Sequence, residues 1–329
     1  MTPRPSGPGR DRAAASTAGG GGPVPLAAAL GAGPVLLDGG LSNQLEAQGH
    51  DLADELWSAR LLAEAPGEIE RAHAAYLAAG ARVLITASYQ ASFEGFTRRG
   101  LPPGRARELF GRSVRLARRA ASRAAGPVWV AASVGPYGAV LADGSEYRGR
   151  YGLDVAGLAA FHRPRIEALA EAGPDVLALE TVPDAVEAEA LLRAADGCGV
   201  PVWLSYTVAG GRTRAGQPLA EAFAVAAHDP QVIAVGVNCC EAGEVEAALE
   251  AAAYACPGLP LVAYPNSGEG WDAERAAWTG VPSFSASAAR GWVARGARLV
   301  GGCCRVGPDG IAALDAALRR AAGPGPADV

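Results

Sequence analysis

Residues 175–206 read DVLALETVPDAVEAEALLRAADGCGVPVWLSY. The outer segments DVLALE (175–180) and PVWLSY (201–206) are short apolar runs of the kind buried strands show, and AVEAEALLRAA (185–195) between them repeats its apolar residues at helical period. The stretch is therefore one strand–helix–strand unit of a parallel sheet. The same alternation continues on both sides. PVLLD (34–38), RVLITA (82–87) and VWVAAS (128–133) precede it, and VIAVGVN (232–238), PLVAYP (260–265) and ARLVGG (297–302) follow. Helical stretches fall between the strands, among them 159–173 and 244–255. Eight strands alternating with helices predict a single-domain (β/α)₈ TIM barrel over residues 24–322, with its chemistry at the C-terminal strand ends. An open doubly wound sheet is the alternative, but no G-x-G-x-x-G follows the first strand. Residues 1–23, rich in Gly, Pro, Ser and Ala, are expected to form a disordered arm, and 323–329 a frayed tail.

Composition narrows the chemistry. The chain has 329 residues, half of them apolar and 19% charged, with a net charge of −5. It can bury a large core, and it lacks the concentrated basic face that nucleic acid or a membrane surface would need. All 29 basic residues are Arg, a bias that fits a GC-rich genome. Without Lys the chain can form no Schiff base, and it has no Walker A lysine. The sequence shows no secretory leader and no apolar run of membrane-spanning length. Six cysteines, including two adjacent pairs, do not make a disulfide framework, so a reducing cytoplasm is the expected setting.

The strand ends carry a polar set: Asp38, Thr86, Ser133, Glu180, Asn238 with Cys239, Asn266, and Cys303 with Cys304. In a barrel these positions converge on one mouth. G-V-N-C-C (236–240) ends the sixth strand and G-G-C-C-R (301–305) the eighth, with Cys303 64 residues after Cys239. Catalytic zinc takes three protein ligands and leaves a fourth position open. Small buried hydrophobes and a strained vicinal disulfide are the competing readings of a Cys-Cys pair. Successive strand side chains point to opposite faces, so Cys239 and Cys240 do not both ligate, but the residues alone do not choose between them. His50, His73, His162 and His228 fall in helix or loop, which argues against a histidine-based hydrolytic centre.

Several stretches together decide the matter: VLLDGGLSNQL (35–45), LWSARLL (56–62), AHAAYLAAGA (72–81), TASYQAS (86–92), LET (179–181), GVNC (236–239), YPNSGE (264–269) and GGCCR (301–305). In this order they resemble the homocysteine S-methyltransferase family across nearly the whole chain. GVNC followed by GGCC is the specific part. The resemblance implies a (β/α)₈ barrel with Zn²⁺ held by Cys239, Cys303 and Cys304, and it leaves Cys240 outside the motif. It also implies that Asp38 and Glu180 hold the α-ammonium of homocysteine, a charged contact of the strong kind. Thr86, Ser133, Asn238 and Asn266 are further candidate substrate contacts, weighed against ordinary strand-end hydrogen bonding. Ser42-Asn43 stands where the family has Gly-Thr, which bears on local contacts and not on the metal. Arg305 is read as structural or solvated.

A free thiol is mostly protonated at neutral pH, and zinc ligation removes its proton. The expected reaction is in-line transfer of a methyl group from a sulfonium to homocysteine sulfur, giving methionine. S-Methylmethionine is the first donor expected and S-adenosylmethionine the second. Betaine as donor, and another thiol or a selenol as acceptor, are alternatives. A zinc hydrolase or metal-dependent aldolase would use His or carboxylate ligands instead, and would keep zinc when Cys303 is replaced by Ser. A zinc-storage or redox-sensing barrel would release zinc on mild oxidation and turn nothing over. None of these motifs encodes oligomeric state.

Overall fold

The computed structural model describes residues 24–52, 58–272 and 277–321. The expected arm (1–23), the expected C-terminal tail (323–329) and part of the LWSARLL motif lie outside them.

Eight parallel strands form one sheet: β1 (Val35–Leu36), β2 (Val83–Ile85), β3 (Trp129–Val134), β4 (Val176–Val182), β5 (Val202–Tyr206), β6 (Val232–Asn238), β7 (Leu261–Tyr264) and β8 (Ala297–Val300). Each pairs with its neighbour in sequence, and β1 pairs with β8. A parallel bridge between Leu37 and Val83 joins β1 to β2, so the sheet closes on itself. The chain is a (β/α)₈ barrel, with all eight expected strands in place.

Helix Ala185–Ala195 spans the residues its periodicity predicts. The stretch expected as helix over 159–173 forms instead at Val155–Ala170. It starts earlier because the Asp154 side chain accepts from the Gly157 amide and caps the first turn. Helix Val245–Ala255 agrees with expectation to within one residue.

Alternation along the strands divides the apolar residues into two cores. Leu177, Leu179, Val235 and Val237 face outward and pack in the large outer core, under the helices. Val176, Ala178, Trp203, Ala234, Val262 and Leu299 face inward and fill the barrel. Helix Leu26–Ala32 adds Leu26 and Leu30 to the inner core, and the Trp129 indole donates to the Val24 carbonyl at 2.8 Å. The barrel is thereby packed from below. A cavity of about 980 Å³ lies at the other end, beside Pro201, His228 and Gln231, remote from every expected site residue.

Candidate metal centre

The ligand atoms of Cys239, Cys303 and Cys304 lie within 4.8 Å of one another, and Cys239 Sγ is 3.6 Å from Cys304 Sγ. All three remain free thiols. Zinc–sulfur bonds of about 2.3 Å place tetrahedral sulfurs roughly 3.8 Å apart, so the triad has the size of a three-thiolate site. Cys239 is buried while Cys303 and Cys304 are half-buried, so the open side of the triad faces the mouth.

Strict alternation beyond Asn238 would turn Cys239 away from the barrel axis. The backbone prevents this by placing Cys239 in the left-handed region at φ 50°. The Cys239 amide donates to the Tyr264 carbonyl at 3.2 Å, and its carbonyl accepts from the Thr207 hydroxyl at 3.0 Å. Cys239 thus turns into the mouth and Cys240 into the outer core, where burial pushes the Cys240 thiol up. Thr181 (φ 59°) and Arg305 (φ 62°) share this conformation, so among the described residues three of the five non-glycine residues with positive φ adjoin the site.

Glycines bring the other two cysteines close. A Cβ on Gly301 would lie 2.6 Å from Leu37 Cβ and 2.8 Å from the Asp38 carbonyl oxygen. One on Gly40 would lie 2.7 Å from the Cys303 carbonyl oxygen. The Cys303 amide donates to the Pro265 carbonyl at 2.8 Å and the Cys304 amide to Asn266 Oδ1 at 3.2 Å. Asn43 Oδ1 accepts from the Arg305 amide at 2.6 Å, so the departure from Gly-Thr anchors the cysteine turn. The Arg305 guanidinium pairs with Glu269 at 2.8 Å, in line with a structural role.

The three thiols compete for one charge. Hydrogen bonds from Cys303 and Cys304, with lesser ones from Tyr147 and Asn266, hold Cys239 well below the usual thiol range against the effect of burial. The same contact with Cys239 pushes Cys303 and Cys304 well above it. A divalent cation removes the conflict, because three thiolates around it leave a net charge of −1.

Next to the triad stand two buried carboxylates. Burial raises Asp38 well above the usual carboxylate range, and the charge of Glu180 raises it further. Asp38 Oδ2 accepts from the Ile85 amide at 2.8 Å, while Oδ1 has no hydrogen-bond partner. Burial raises Glu180 to about 7 despite hydrogen bonds from Ser133 and from Tyr264 Oη, the latter at 3.0 Å. Two close carboxylates and one orphaned oxygen make a receptor for a cation.

The remaining expected contacts are spent on protein. Thr86 Oγ1 accepts from the Ser133 amide at 3.0 Å and bonds Ser88 Oγ at 2.7 Å. Asn238 Oδ1 accepts from the Thr181 amide and the Ser205 hydroxyl, at 2.7 and 2.9 Å. Asn266 supports Cys304 as described. The structure adds two residues that strand-end reading overlooked. Tyr264, inside YPNSGE, bonds Ser205 at 2.8 Å as well as Glu180. Tyr147 Oη lies 3.1 Å from Cys239 Sγ. It sits on a short 3₁₀ turn (Ser145–Tyr147), and the sequence around it carries no strand-end signal. Of the histidines, His73 and His162 are buried in helices away from the triad, and His50 and His228 lie in loops.

The family profile described as homocysteine S-methyltransferase matches residues 35–318. The chain is 47% identical over 293 residues to the homocysteine S-methyltransferase of Escherichia coli K12, covering 86% of this chain and 94% of that one. It is 43% identical over 330 residues to homocysteine S-methyltransferase 4 of Zea mays, covering 92% and 96%. The crystal structure of the metallated E. coli homocysteine methyltransferase MmuM superposes with a TM-score of 0.79 at 45% identity, covering 89% of this chain and 99% of that one. With its barrel and its cysteine triad, the chain belongs to the homocysteine S-methyltransferase family.

Proposed function

We propose that this protein is a zinc-dependent methyltransferase that moves a methyl group from a sulfonium, S-methylmethionine first, to the sulfur of homocysteine. The observation that carries the reading is the convergence of three cysteine sulfurs beside two buried carboxylates. Zinc held by Cys239, Cys303 and Cys304 supplies a Lewis acid that keeps the acceptor thiol ionised at neutral pH. Asp38 and Glu180 receive the acceptor's ammonium, which relieves the repulsion between them. Ser133 and Tyr264 orient Glu180. Thr86, Asn238 and Asn266 act through the backbone and side chains they hold, as positioning residues.

In the transfer, the acceptor sulfur forms the new S–CH₃ bond while the bond from that methyl to the sulfonium sulfur breaks with its electron pair. Thiolate and sulfonium become two neutral thioethers. The leaving group takes no proton, so the mouth needs no general acid. Free thiols throughout the chain fit a reducing, cytoplasmic setting. Among the described residues, no helix is long and apolar enough to cross a membrane.

The test is a methyl-transfer assay of reduced, zinc-loaded protein with homocysteine against S-methylmethionine, S-adenosylmethionine and betaine in parallel. Methionine formed from S-methylmethionine supports the reading. No product from any donor, with stoichiometric zinc, contradicts it.

A further inference from the structure

Glu146, next to Tyr147 beside the triad, is left without a task by the reaction above. It is only 8% exposed, and its Oε2 is buried with no hydrogen-bond partner. It precedes Tyr147, whose hydroxyl touches Cys239. The turn that carries both residues is held in place. A Cβ on Gly138 would lie 2.5 Å from the Glu146 nitrogen and 2.6 Å from the Ser145 carbonyl carbon. Asp143 Oδ1 accepts from the Ser145 amide at 2.9 Å. Burial raises the Glu146 carboxyl above its usual range, and the nearby negative groups, Cys239 before any metal is bound and Asp143, raise it further. A buried carboxylate with a free oxygen and negative neighbours is costly unless a positive ligand completes it.

We propose that Glu146 is a specificity-determining residue that meets the positive charge of the sulfonium donor. The inference rests on the methyl-transfer reading. Asp38 and Glu180 are assigned to the acceptor's ammonium, which leaves the donor's cation without a counter-charge. Glu146 shares a short turn with Tyr147, whose hydroxyl lies 3.1 Å from Cys239 Sγ, so a cation met by Glu146 lies beside the nucleophile. Tyr147 borders the same space through its hydroxyl, and its ring already holds a cation, with the Arg214 guanidinium carbon 5.5 Å from the ring centroid. The sulfonium loses its charge as the methyl leaves. A carboxylate facing it therefore favours the bound donor over the transition state, so its effect belongs in KM and not in kcat.

The test compares Glu146→Gln and Glu146→Asp with the parent enzyme, all zinc-loaded, using S-methylmethionine and also dimethylsulfoniopropionate, a sulfonium without an ammonium. The expected result for Glu146→Gln is a donor KM raised about tenfold for both sulfoniums, the size of a lost charged contact. Homocysteine KM and zinc content stay unchanged, kcat does not fall, and Glu146→Asp lies in between. An unchanged donor KM, an equal rise in homocysteine KM, or a loss confined to S-methylmethionine overturns the proposal. Calorimetric titration of S-methylmethionine into the zinc-loaded proteins separates the two claims. Glu146-dependent binding without turnover in the parent would fell the methyl-transfer reading and keep this one, and binding indifferent to Glu146 would fell this one. Glu146→Asp keeps the charge and carries the test should Glu146→Gln not fold.

Discussion

The side chain of Asn238 holds Thr181 at two points: Oδ1 accepts from the Thr181 amide at 2.7 Å, and Nδ2 donates to Thr181 Oγ1 at 2.7 Å. Thr181 is in the left-handed conformation, the register between β4 and β5 shifts between Leu179 and Val182, and Glu180 lies inside that irregularity. Asn238 thus ties the last residue of β6 to the kink that aims Glu180. Asn238→Ala would strand buried donors and acceptors, at a cost of about 2–3 kcal/mol. We expect a lower urea midpoint, and a kcat/KM for homocysteine reduced by about two orders of magnitude because Glu180 loses its aim. Parent-like values in both measurements would refute the positioning role.

Cys240 separates geometry from mere thiol content. Cys239→Ser, Cys303→Ser and Cys304→Ser are each expected to lose stoichiometric zinc and methyl transfer together. Cys240→Ala is expected to keep both, and to lose about 1–2 kcal/mol of stability from the outer core. Elemental analysis of the purified proteins provides the comparison. Zinc lost from Cys240→Ala and kept by Cys239→Ser would reverse the assignment.

Gly301 marks where β8 meets the end of β1. An added methyl would strike Leu37 Cβ and the Asp38 carbonyl, both held by the barrel wall. Gly301→Ala should therefore cost at least about 2 kcal/mol by urea unfolding, and should weaken zinc binding by displacing Cys303. Gly243, whose Cβ would meet nothing within 4 Å, supplies the control substitution.

The fold was readable because each strand is a short apolar run and each helix has its own period. The address of the site followed from the fold, since strand ends of one barrel face one mouth. The choice of Cys239 over Cys240 was not readable from the residues, because it depends on a left-handed kink at Cys239 that overrides strand alternation. The resemblance named Cys239, and the structure brings its sulfur within 4.8 Å of those of Cys303 and Cys304. Asn238 and Thr86 look like substrate contacts in the sequence because they are polar strand ends. Their atoms are in fact occupied by Thr181, Ser205, Ser88 and the Ser133 amide, and such pairings between distant segments have no local signature. Tyr147 escaped for the opposite reason, since it reaches the triad from a turn beyond β3.

His73 gives the fold a pH dependence of definite sign. It is fully buried, neither ring nitrogen has a hydrogen-bond partner, and burial lowers it to about 4. The folded state then binds fewer protons than the unfolded chain between pH 6.5 and 4, so stability falls as pH drops through that window. From pH 6.5 to 5 the contribution is about 2 kcal/mol. His73→Leu should abolish that part of the loss in urea titrations at the two pH values. An unaltered slope would show that His73 is not the source.

The central claim is a three-cysteine metal centre that accepts the substrate's own sulfur, and zinc K-edge X-ray absorption of the zinc-loaded protein tests it most directly. Three sulfur neighbours before homocysteine is added, and four afterwards, is the predicted result. A nitrogen- or oxygen-dominated shell, or a sulfur count that homocysteine leaves unchanged, would contradict it.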